Sequence, residues 1–235
     1  MELRLLNTEA ERRVFAERME QARAQRGSQF REKRRSVIGR VHLTYGCLYG
    51  LFDDPQDTAE RMISGFIMHD LSMFPQSYPR PDMTHLPPHA VLECGELWSF
   101  SKGGGILARR GAGIIAGLRQ AQAFLVFPTV NPFDQAKSYE MTGFSRIGDL
   151  IDWPYCEQLD GGAIKVQPMT LEGEPMRKLI ERILEAGFET MDAHRRIRFD
   201  NPFEISPSIE RPEAAVAEVL KMAPATHEVN GAAHQ

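Results

Sequence analysis

The sequence of 235 residues predicts a mixed α/β (α+β) fold, in which a mostly antiparallel central sheet is flanked by helices. Stretches rich in β-branched and aromatic residues alternate along the chain with stretches of helical periodicity, which is the first sign of such a fold. The second sign is a strand-like segment that runs straight into three consecutive glycines before a helical stretch begins. Apolar residues make up 42% of the chain, enough for a packed core.

The N-terminal segment predicts a helix over residues 8–24, which Gly27 would end. Thr8 and Glu11 form the pattern of a capping box at its start. Residues 1–40 contain eleven Lys or Arg and six Glu, a net charge of +5 against −9 for the remainder. We call residues 1–36 the basic arm. We expect it to be a solvated helix face or a surface for an acidic partner such as a carrier protein.

The segments after the basic arm predict an antiparallel hairpin. Residues 37–52 and 62–71 have the composition of strands, and Asp53 and Asp54 open a turn between them. Residues 73–92 contain five prolines, which predict a surface loop without regular structure.

The rest of the domain alternates strands with helices. We predict a strand over 91–100, a helix over 106–120, a strand over 123–130, a helix over 133–142, a strand over 163–169 and a helix over 174–186. We expect residues 1–205 to form a single domain and residues 206–235 to form a partly disordered tail, which has a polar composition and begins near Pro207.

The three glycines between a strand and a helix can bind an anion. Residues without Cβ atoms let a phosphate approach the backbone, and the free N–H groups at the start of the next helix attract negative charge. The segment has neither the GK[ST] end of a Walker loop nor the GxGxxG spacing of dinucleotide-binding proteins. A turn that needs positive φ angles would use the same glycines, so that alternative stays open.

The order of residues after this loop resembles the second half of the GNAT acyltransferases. In that superfamily a strand enters a glycine loop and a helix, and the next strand ends near an asparagine. An alanine-bearing helix then closes with a tyrosine and a Gly-Phe pair. The same order is found here in Asn131, Ala136, Tyr139, Gly143 and Phe144.

The resemblance implies a GNAT-like fold and an acyl thioester as co-substrate, either acyl-CoA or an acyl group on the phosphopantetheine of a carrier protein. The residues that it implies for donor binding are Trp98, Phe100, Lys102, Gly103, Gly104, Gly105 and Asn131. An alternative glycine loop at 110–113 matches the superfamily's letters better than 103–105, but it lies too close to Asn131 in sequence.

A second resemblance covers residues 40–169 and is to acyl-homoserine-lactone synthases and N-acyl-amino-acid synthases. Residues 96–100 (ELWSF) are similar to the ElSRf strand of those enzymes, with Ser99 in place of the arginine. Residues 144–169 resemble their closing segment. This resemblance implies an amine acceptor such as an amino acid.

Amide formation requires that the attacking amine lose a proton and that the departing thiolate gain one. Glu96 is the first candidate for the base, and a structural ion pair with a basic neighbour is its alternative role. The resemblance implies Tyr139 as the proton donor, with a buried structural tyrosine as the alternative. Ser99 is a third catalytic candidate, and backbone N–H groups of residues 98–100 would bind the oxyanion.

Other classes of function find less support. The three cysteines lie far apart, and two prolines separate His85 from His89, so no metal site is expected. No apolar stretch is long enough to span a bilayer, and the charged N-terminus is unlike a signal peptide, so we expect a cytoplasmic protein. The basic arm lacks the interleaved aromatic residues typical of nucleic-acid binding.

The sequence therefore predicts an N-acyltransferase that moves an acyl group from a thioester to an amine. The alternative is a catalytically inactive protein of the same fold that binds an acyl thioester or a partner as a sensor.

Overall fold

The computed structural model describes residues 1–25, 30–32, 43, 46–73, 81–100, 104–119, 121–131, 134–158, 160–185 and 198–199. The predicted tail at 206–235, the loop residues Lys102 and Gly103, the predicted helix end at Gly27 and most of the basic arm after residue 25 lie outside the described residues.

The described secondary structure contains the predicted mixture of helices and strands. The helices are α1 (Glu9–Gln25), α2 (Gly104–Leu118), α3 (Ala136–Glu140) and α4 (Gly173–Glu185). The strands are β1 (Glu2–Leu5), β2 (Phe30–Glu32), β3 (Cys47–Phe52), β4 (Ser64–Asp70), β5 (Val91–Ser99), β6 (Ala123–Val126), β7 (Thr129–Asn131), β8 (Ser145–Arg146), β9 (Ile151–Gln158), β10 (Ala163–Val166), β11 (Met169–Glu172) and β12 (Arg198–Phe199).

Helix α1 begins with the predicted capping box, which the hydrogen bonds confirm. The N–H of Glu11 donates to the Thr8 hydroxyl at 3.2 Å, and the N–H of Thr8 donates to the Glu11 carboxylate at 2.9 Å. Two backbone donors that have no partner within the helix are thereby satisfied. This fixes where α1 starts relative to β1.

The main sheet has the strand order β12-β1-β3-β4-β5-β6-β11-β8. Its pairs are antiparallel except for β1 with β12 at one edge and β5 with β6 in the centre. The parallel pair arises because α2 lies in the connection between β5 and β6 and returns the chain to the same end of the sheet. A mostly antiparallel central sheet flanked by helices is the fold class that the sequence predicts.

A second sheet has the order β2-β9-β10-β7. Between β6 and β7 the chain passes from the main sheet to this one, and between β10 and β11 it passes back, and each of these two passages contains a proline, Pro128 or Pro168. Proline cannot donate to a ladder, so it interrupts pairing at these points. The N–H of Gln167 donates to the Pro128 carbonyl at 3.0 Å, which joins the two passages.

Both faces of the main sheet are covered by helices. Residues of β4 alternate between the two cores: Ile67 belongs to the cluster under α1, and Phe66 and Met68 belong to the cluster under α2 and α4. All three are fully buried. A strand that is buried on both faces accounts for the continuous apolar composition of this segment.

Several predicted boundaries differ from the structure. Within the described part of the segment 37–52, the strand is Cys47–Phe52, and the predicted strands at 123–130 and 163–169 are each divided between the two sheets at the prolines. The predicted helix at 133–142 is the single short helix α3. Strands β1, β2, β8, β9 and β12 were not predicted. Of these, β1 lies in a segment that alternates leucine with charge, and β9 contains Pro154 and two acidic residues.

Gly65 offers a direct test of packing between α1 and the sheet. A Cβ atom on Gly65 would lie 2.5 Å from Phe15 Cε2 and 2.9 Å from Trp98 Cζ2. We expect Gly65→Ala to lower the free energy of unfolding by about 1–3 kcal/mol, the usual cost of overpacking a core. Chemical denaturation would measure it.

Gly113→Ala is the matched control, because its Cβ would lie at an ordinary 3.6 Å from Leu179 Cδ2 between α2 and α4. Alanine should there stabilise the helix by roughly 0.5–1 kcal/mol. Equal stability of the two variants would contradict the tight packing of α1 on Gly65.

Candidate active site

The candidate site lies where β5 and β6 separate. Strand β5 has nine residues, but it pairs with β6 only through its first three, from Val91 with Ala123 to Glu93 with Leu125. Strand β6 ends at Val126, and the chain then passes to the second sheet. Along residues 94–99, the β6 side of β5 therefore has no strand partner among the described residues.

A β-bulge in β5 marks the beginning of this open edge. The pairing with β4 shifts register between Gly65, opposite Trp98, and Ile67, opposite Gly95. Glu96 occupies the bulge with φ of 52°, and it is the one non-glycine residue with positive φ among those described. Such a conformation costs free energy, and strained residues and bulges are over-represented next to functional sites.

Glu96 forms an ion pair across to α1. Arg23 Nη2 donates to Glu96 Oε2, and Arg23 Nη1 also donates to Glu20 Oε1 at 2.6 Å. The Arg23 and Glu96 side chains are 26% and 22% exposed, so the pair is partly shielded from water. The structural role that the sequence left open for Glu96 is present, and its catalytic role stays a prediction.

The first residue of α2 is attached to the end of β5. The buried hydroxyl of Ser64 donates to the Trp98 carbonyl at 2.5 Å and lies 3.4 Å from the Gly104 carbonyl. Helix α2 thus begins at the carboxyl end of β5, on the side toward which β5 and β6 open. Ligands of sheets with parallel strands characteristically bind at such carboxyl ends, next to a helix N-terminus.

The glycines of the alternative loop at 110–113 have another role. They lie in the middle of α2, where backbone N–H groups already donate within the helix. A Cβ on Gly111 would lie 2.9 Å from Leu3 Cδ2, so this glycine allows α2 to approach β1. The segment 110–113 therefore cannot bind phosphate through its backbone. Gly104 and Gly105 lie in the first turn of α2 instead of in a loop before it.

Tyr139 lies near the end of α3 and packs against the same core cluster as Cys94 of β5. The Arg109 guanidinium lies 4.8 Å from the centre of the Tyr139 ring. The Phe144 ring meets it edge-on at 5.3 Å. Burial raises the pKa of Tyr139, the nearby Cys94 acts in the same direction, and Arg109 opposes them. Tyr139 is consequently a neutral phenol near neutral pH, a form that can donate a proton.

Two other predicted site residues, Trp98 and Phe100, have side chains that pack on the α1 side of the sheet. The Trp98 side chain is buried under α1 against Phe15, and the Phe100 ring packs on Trp98 and beneath the Arg18 guanidinium. The N–H of Phe100 already donates to the Ile63 carbonyl at 2.9 Å. Phe100 must therefore be removed from the predicted oxyanion donors, since that hydrogen bond holds the end of β5.

The side chains of two further predicted residues, Ser99 and Asn131, lie on strands that pair with a neighbour. Ser99 is only 1% exposed and pairs with Ser64 of β4. Asn131 is exposed at the end of β7, where it pairs with Lys165 in the second sheet, five residues after β6 has ended. The separation of β6 from β7 was not visible in the apolar run of the sequence.

Sequence reasoning missed the functional environment of two arginines. Arg23 was counted with the basic arm, although its charge reaches Glu96, and Arg109 was passed over although it contacts Tyr139. Neither contact has a local signal, because α1 precedes β5 and α2 precedes α3 by long stretches of chain. From its position in a predicted helix, each arginine would be expected only to lie on a solvent-accessible face of that helix.

The described residues contain no group of three or more His, Cys, Asp or Glu arranged to hold a metal ion. His85 lies within 3.0 Å of the Glu172 carboxylate and His69 within 3.2 Å of the Glu93 carboxylate, so each has a carboxylate neighbour. In the same described part of the chain, no helix is long and apolar enough to cross a membrane.

No protein-family model matches the sequence, and no curated protein matches it. Among solved structures, the chain is similar to the N-acyl amino acid synthase FeeM from uncultured soil microbes, with 13% identity and a TM-score of 0.49 over 76% of this chain and 97% of that one. It is also similar to a protein assigned as a phosphinothricin N-acetyltransferase, with 16% identity and a TM-score of 0.48 over 72% and 96%. At such identities a likeness of chain arrangement transfers neither substrate nor residue roles.

Cys94 lies on β5 just after the pairing with β6 has ended. Because its thiol lies close to Tyr139, it could be mistaken for a nucleophile. Burial raises the pKa of this thiol, and the neighbouring Glu93 adds to the effect. We expect Cys94→Ala to retain turnover of the same order as the parent protein, because a protonated thiol is a poor nucleophile. Loss of several orders of magnitude, or an acyl adduct on Cys94 by mass spectrometry, would contradict this.

Proposed function

We propose that the protein is an N-acyltransferase of the GNAT type, which moves an acyl group from a thioester to an amine. The observation that carries the proposal is the end of the β5–β6 pairing at Glu93, with the N-terminus of α2 following the carboxyl end of β5 and Tyr139 packed next to Cys94 of β5. In the proposal, these three features serve as a binding edge, an anion site and an acid.

The donor is proposed to be acyl-CoA or an acyl group on carrier-protein phosphopantetheine. Both contain a pantetheine arm with amide groups, which can pair with the open edge of β5 as an added strand would. Both also carry a phosphate, which the first-turn N–H groups of α2 can receive, together with the dipole of the helix. Because Gly104 and Gly105 have no side chains, the backbone of that turn is open to a phosphate.

Tyr139 is proposed as the group that protonates the departing thiolate. Its position beside Cys94 of β5 and under the Arg109 guanidinium supports this role, whereas burial, which raises the pKa of Tyr139, opposes proton release. The backbone N–H of Ser99 is proposed to stabilise the tetrahedral oxyanion, because N–H groups alternate between the two edges of a strand and those of Trp98 and Phe100 point toward β4.

Glu96 is proposed as the base that removes the proton of the attacking amine, directly or through a water molecule. Arg23 engages its Oε2, which leaves Oε1 as the oxygen that would accept the proton. The bulge supports this role, because it holds Glu96 at the point where β5 begins to leave β6. The acceptor is proposed to be a small amine such as an amino acid, bound on the α1 side of the sheet.

A sensor that binds an acyl thioester without turnover is the second candidate. The ion pair of Glu96 with Arg23 and the burial of Ser99 favour it, because both place predicted catalytic groups in structural contacts. The two candidates differ in whether thiol is produced.

Release of free thiol from acyl-CoA distinguishes them. We expect release that depends on an added amine, together with an amide product of the corresponding mass. Measurement with a thiol reagent needs a donor-free blank, because the protein has three cysteines of its own. Binding of acyl-CoA without release across the amine panel would instead support the sensor.

Glu96→Gln tests the base. The amide keeps the shape of the side chain but cannot accept the proton, so turnover should fall by ~10²–10⁴-fold while donor affinity hardly changes. Glu20→Gln is the matched control, since it removes the other carboxylate on Arg23 and should leave turnover intact.

A purely structural Glu96 gives a different pattern in the same two measurements. The melting temperature would fall because Arg23 loses its partly buried partner, and activity per folded molecule would be preserved. Full activity in a stable Glu96→Gln protein would eliminate the catalytic assignment.

A further inference from the structure

Arg109 lies beside Tyr139, the proposed acid, and the proposed function gives this arginine no role. It lies on the second turn of α2, and its side chain makes two contacts with α3. Its guanidinium lies over the Tyr139 ring at 4.8 Å, and its Nη1 donates to the Ser138 hydroxyl at 2.7 Å. That hydroxyl in turn donates to the Gln135 carbonyl at 2.7 Å, at the start of α3.

The Tyr139 ring is held by contacts with two side chains, Arg109 and Phe144. The guanidinium covers one face, and Phe144, which itself packs edge-on against Phe124 of β6, bounds the ring at 5.3 Å. Helix α3 has only five residues, so few hydrogen bonds of its own hold it in place. The hydrogen bond from Arg109 to Ser138 therefore holds the short helix α3 against the longer helix α2.

Two titratable groups in the described part of the chain act on the Tyr139 phenol, Cys94 of β5 and Arg109 of α2. Burial keeps the Cys94 thiol protonated, so Arg109 is the charged one of the two, and it favours the phenolate. Arg109 also acts on the Cys94 thiol in the same sense. Its cation is thus placed where a negative charge would form during proton donation.

We propose that Arg109 is a positioning residue for Tyr139: it holds the ring beside the open edge of β5 and stabilises the oxygen as an anion when the proton leaves. The inference rests on the proposed function for its catalytic consequence. The contacts on which it stands are independent of that function.

The step in which Arg109 would act is balanced in protons. The amine nitrogen bonds to the acyl carbon, the carbon–sulfur bond breaks, and the nitrogen gives a proton to Glu96. The Tyr139 hydroxyl gives its proton to the thiolate sulfur and becomes a phenolate beside Arg109. Water then returns a proton to the phenolate and accepts one from Glu96, so the net transfer is one proton from amine to thiol.

Two thioester donors with different leaving groups test whether Arg109 assists departure of the thiol. With acyl-CoA, Arg109→Gln should lower kcat about tenfold, within the range of a lost cation–π contact, with the donor KM unchanged. With an aryl thioester the loss should nearly vanish, because an acidic aryl thiol departs without a proton donor. Arg110→Gln is the matched control on the same helix with the same change of charge.

Equal losses with the two donors would overturn the inference, since a general packing defect would not depend on the leaving group. Arg109→Lys serves if the glutamine variant fails to fold: it keeps the charge but loses the planar stacking group, and its loss should again depend on the leaving group. No loss in either variant would also overturn the inference.

A second measurement does not need turnover. Incorporation of 3-fluorotyrosine at position 139 alone allows ¹⁹F NMR to follow ionisation of this phenol. We expect its titration to move to higher pH in Arg109→Gln, because the phenolate loses its cation, and to stay in place in Arg110→Gln. An unchanged titration in Arg109→Gln would overturn the inference. Absence of thiol release from the parent protein would overturn the proposed function alone, because this titration would still decide the role of Arg109.

Discussion

The early end of the pairing between β5 and β6 is the constraint on which the candidate site depends. Had the two strands paired over the full length of β5, both edges of β5 would have been used by neighbouring strands. Pro128 lies two residues after β6 and cannot donate to a ladder, so the chain turns away toward the second sheet. The bond from Gln167 to the Pro128 carbonyl holds this departure at the point where the chain also returns. The hydrogen bond between Gln167 and Pro128, which lies outside the main sheet, thereby helps to keep this edge of β5 open.

Helix α1 contributes more than a cover for the sheet. Arg12 donates to the carbonyls of Leu43 and Gly46, at 2.9 and 3.1 Å, and Arg18 donates to the carbonyl of Met62 at 2.7 Å. Arg23 pairs with Glu96. These cations satisfy acceptors at the ends of strands, which the chain's net charge does not reveal. Three arginines in the described part of the basic arm therefore make contacts within the domain, although Arg12 and Arg18 keep their charge because carbonyls are neutral. The attraction of an acidic partner to this arm stays a prediction.

Local chemistry determined which parts of this protein could be predicted. The capping box of Thr8 and Glu11, the periodicity of α4 and the strands β3 and β4 depend on near neighbours in sequence, and each was found. Helix α2 was predicted to begin two residues late, because glycines weaken a helical pattern and the bond from Ser64 that holds Gly104 comes from another element.

The candidate site was harder to predict because its residues meet only in the fold. Tyr139 could be proposed from its place after Ala136, but nothing in the sequence indicates that Arg109 covers its ring, since that contact depends on how α2 docks beside α3. The bulge at Glu96 is likewise invisible in the strand's composition, because it results from a register shift against β4.

The left-handed backbone at Glu96 separates the shape of the strand from the chemistry of its side chain. Glycine adopts such a φ angle at little cost, whereas glutamate adopts it only with strain. Glycine at position 96 would therefore keep the bend of β5 at a lower cost in free energy while removing the carboxylate that pairs with Arg23. Strand geometry and ion pairing thus make opposite demands on the residue at this one position.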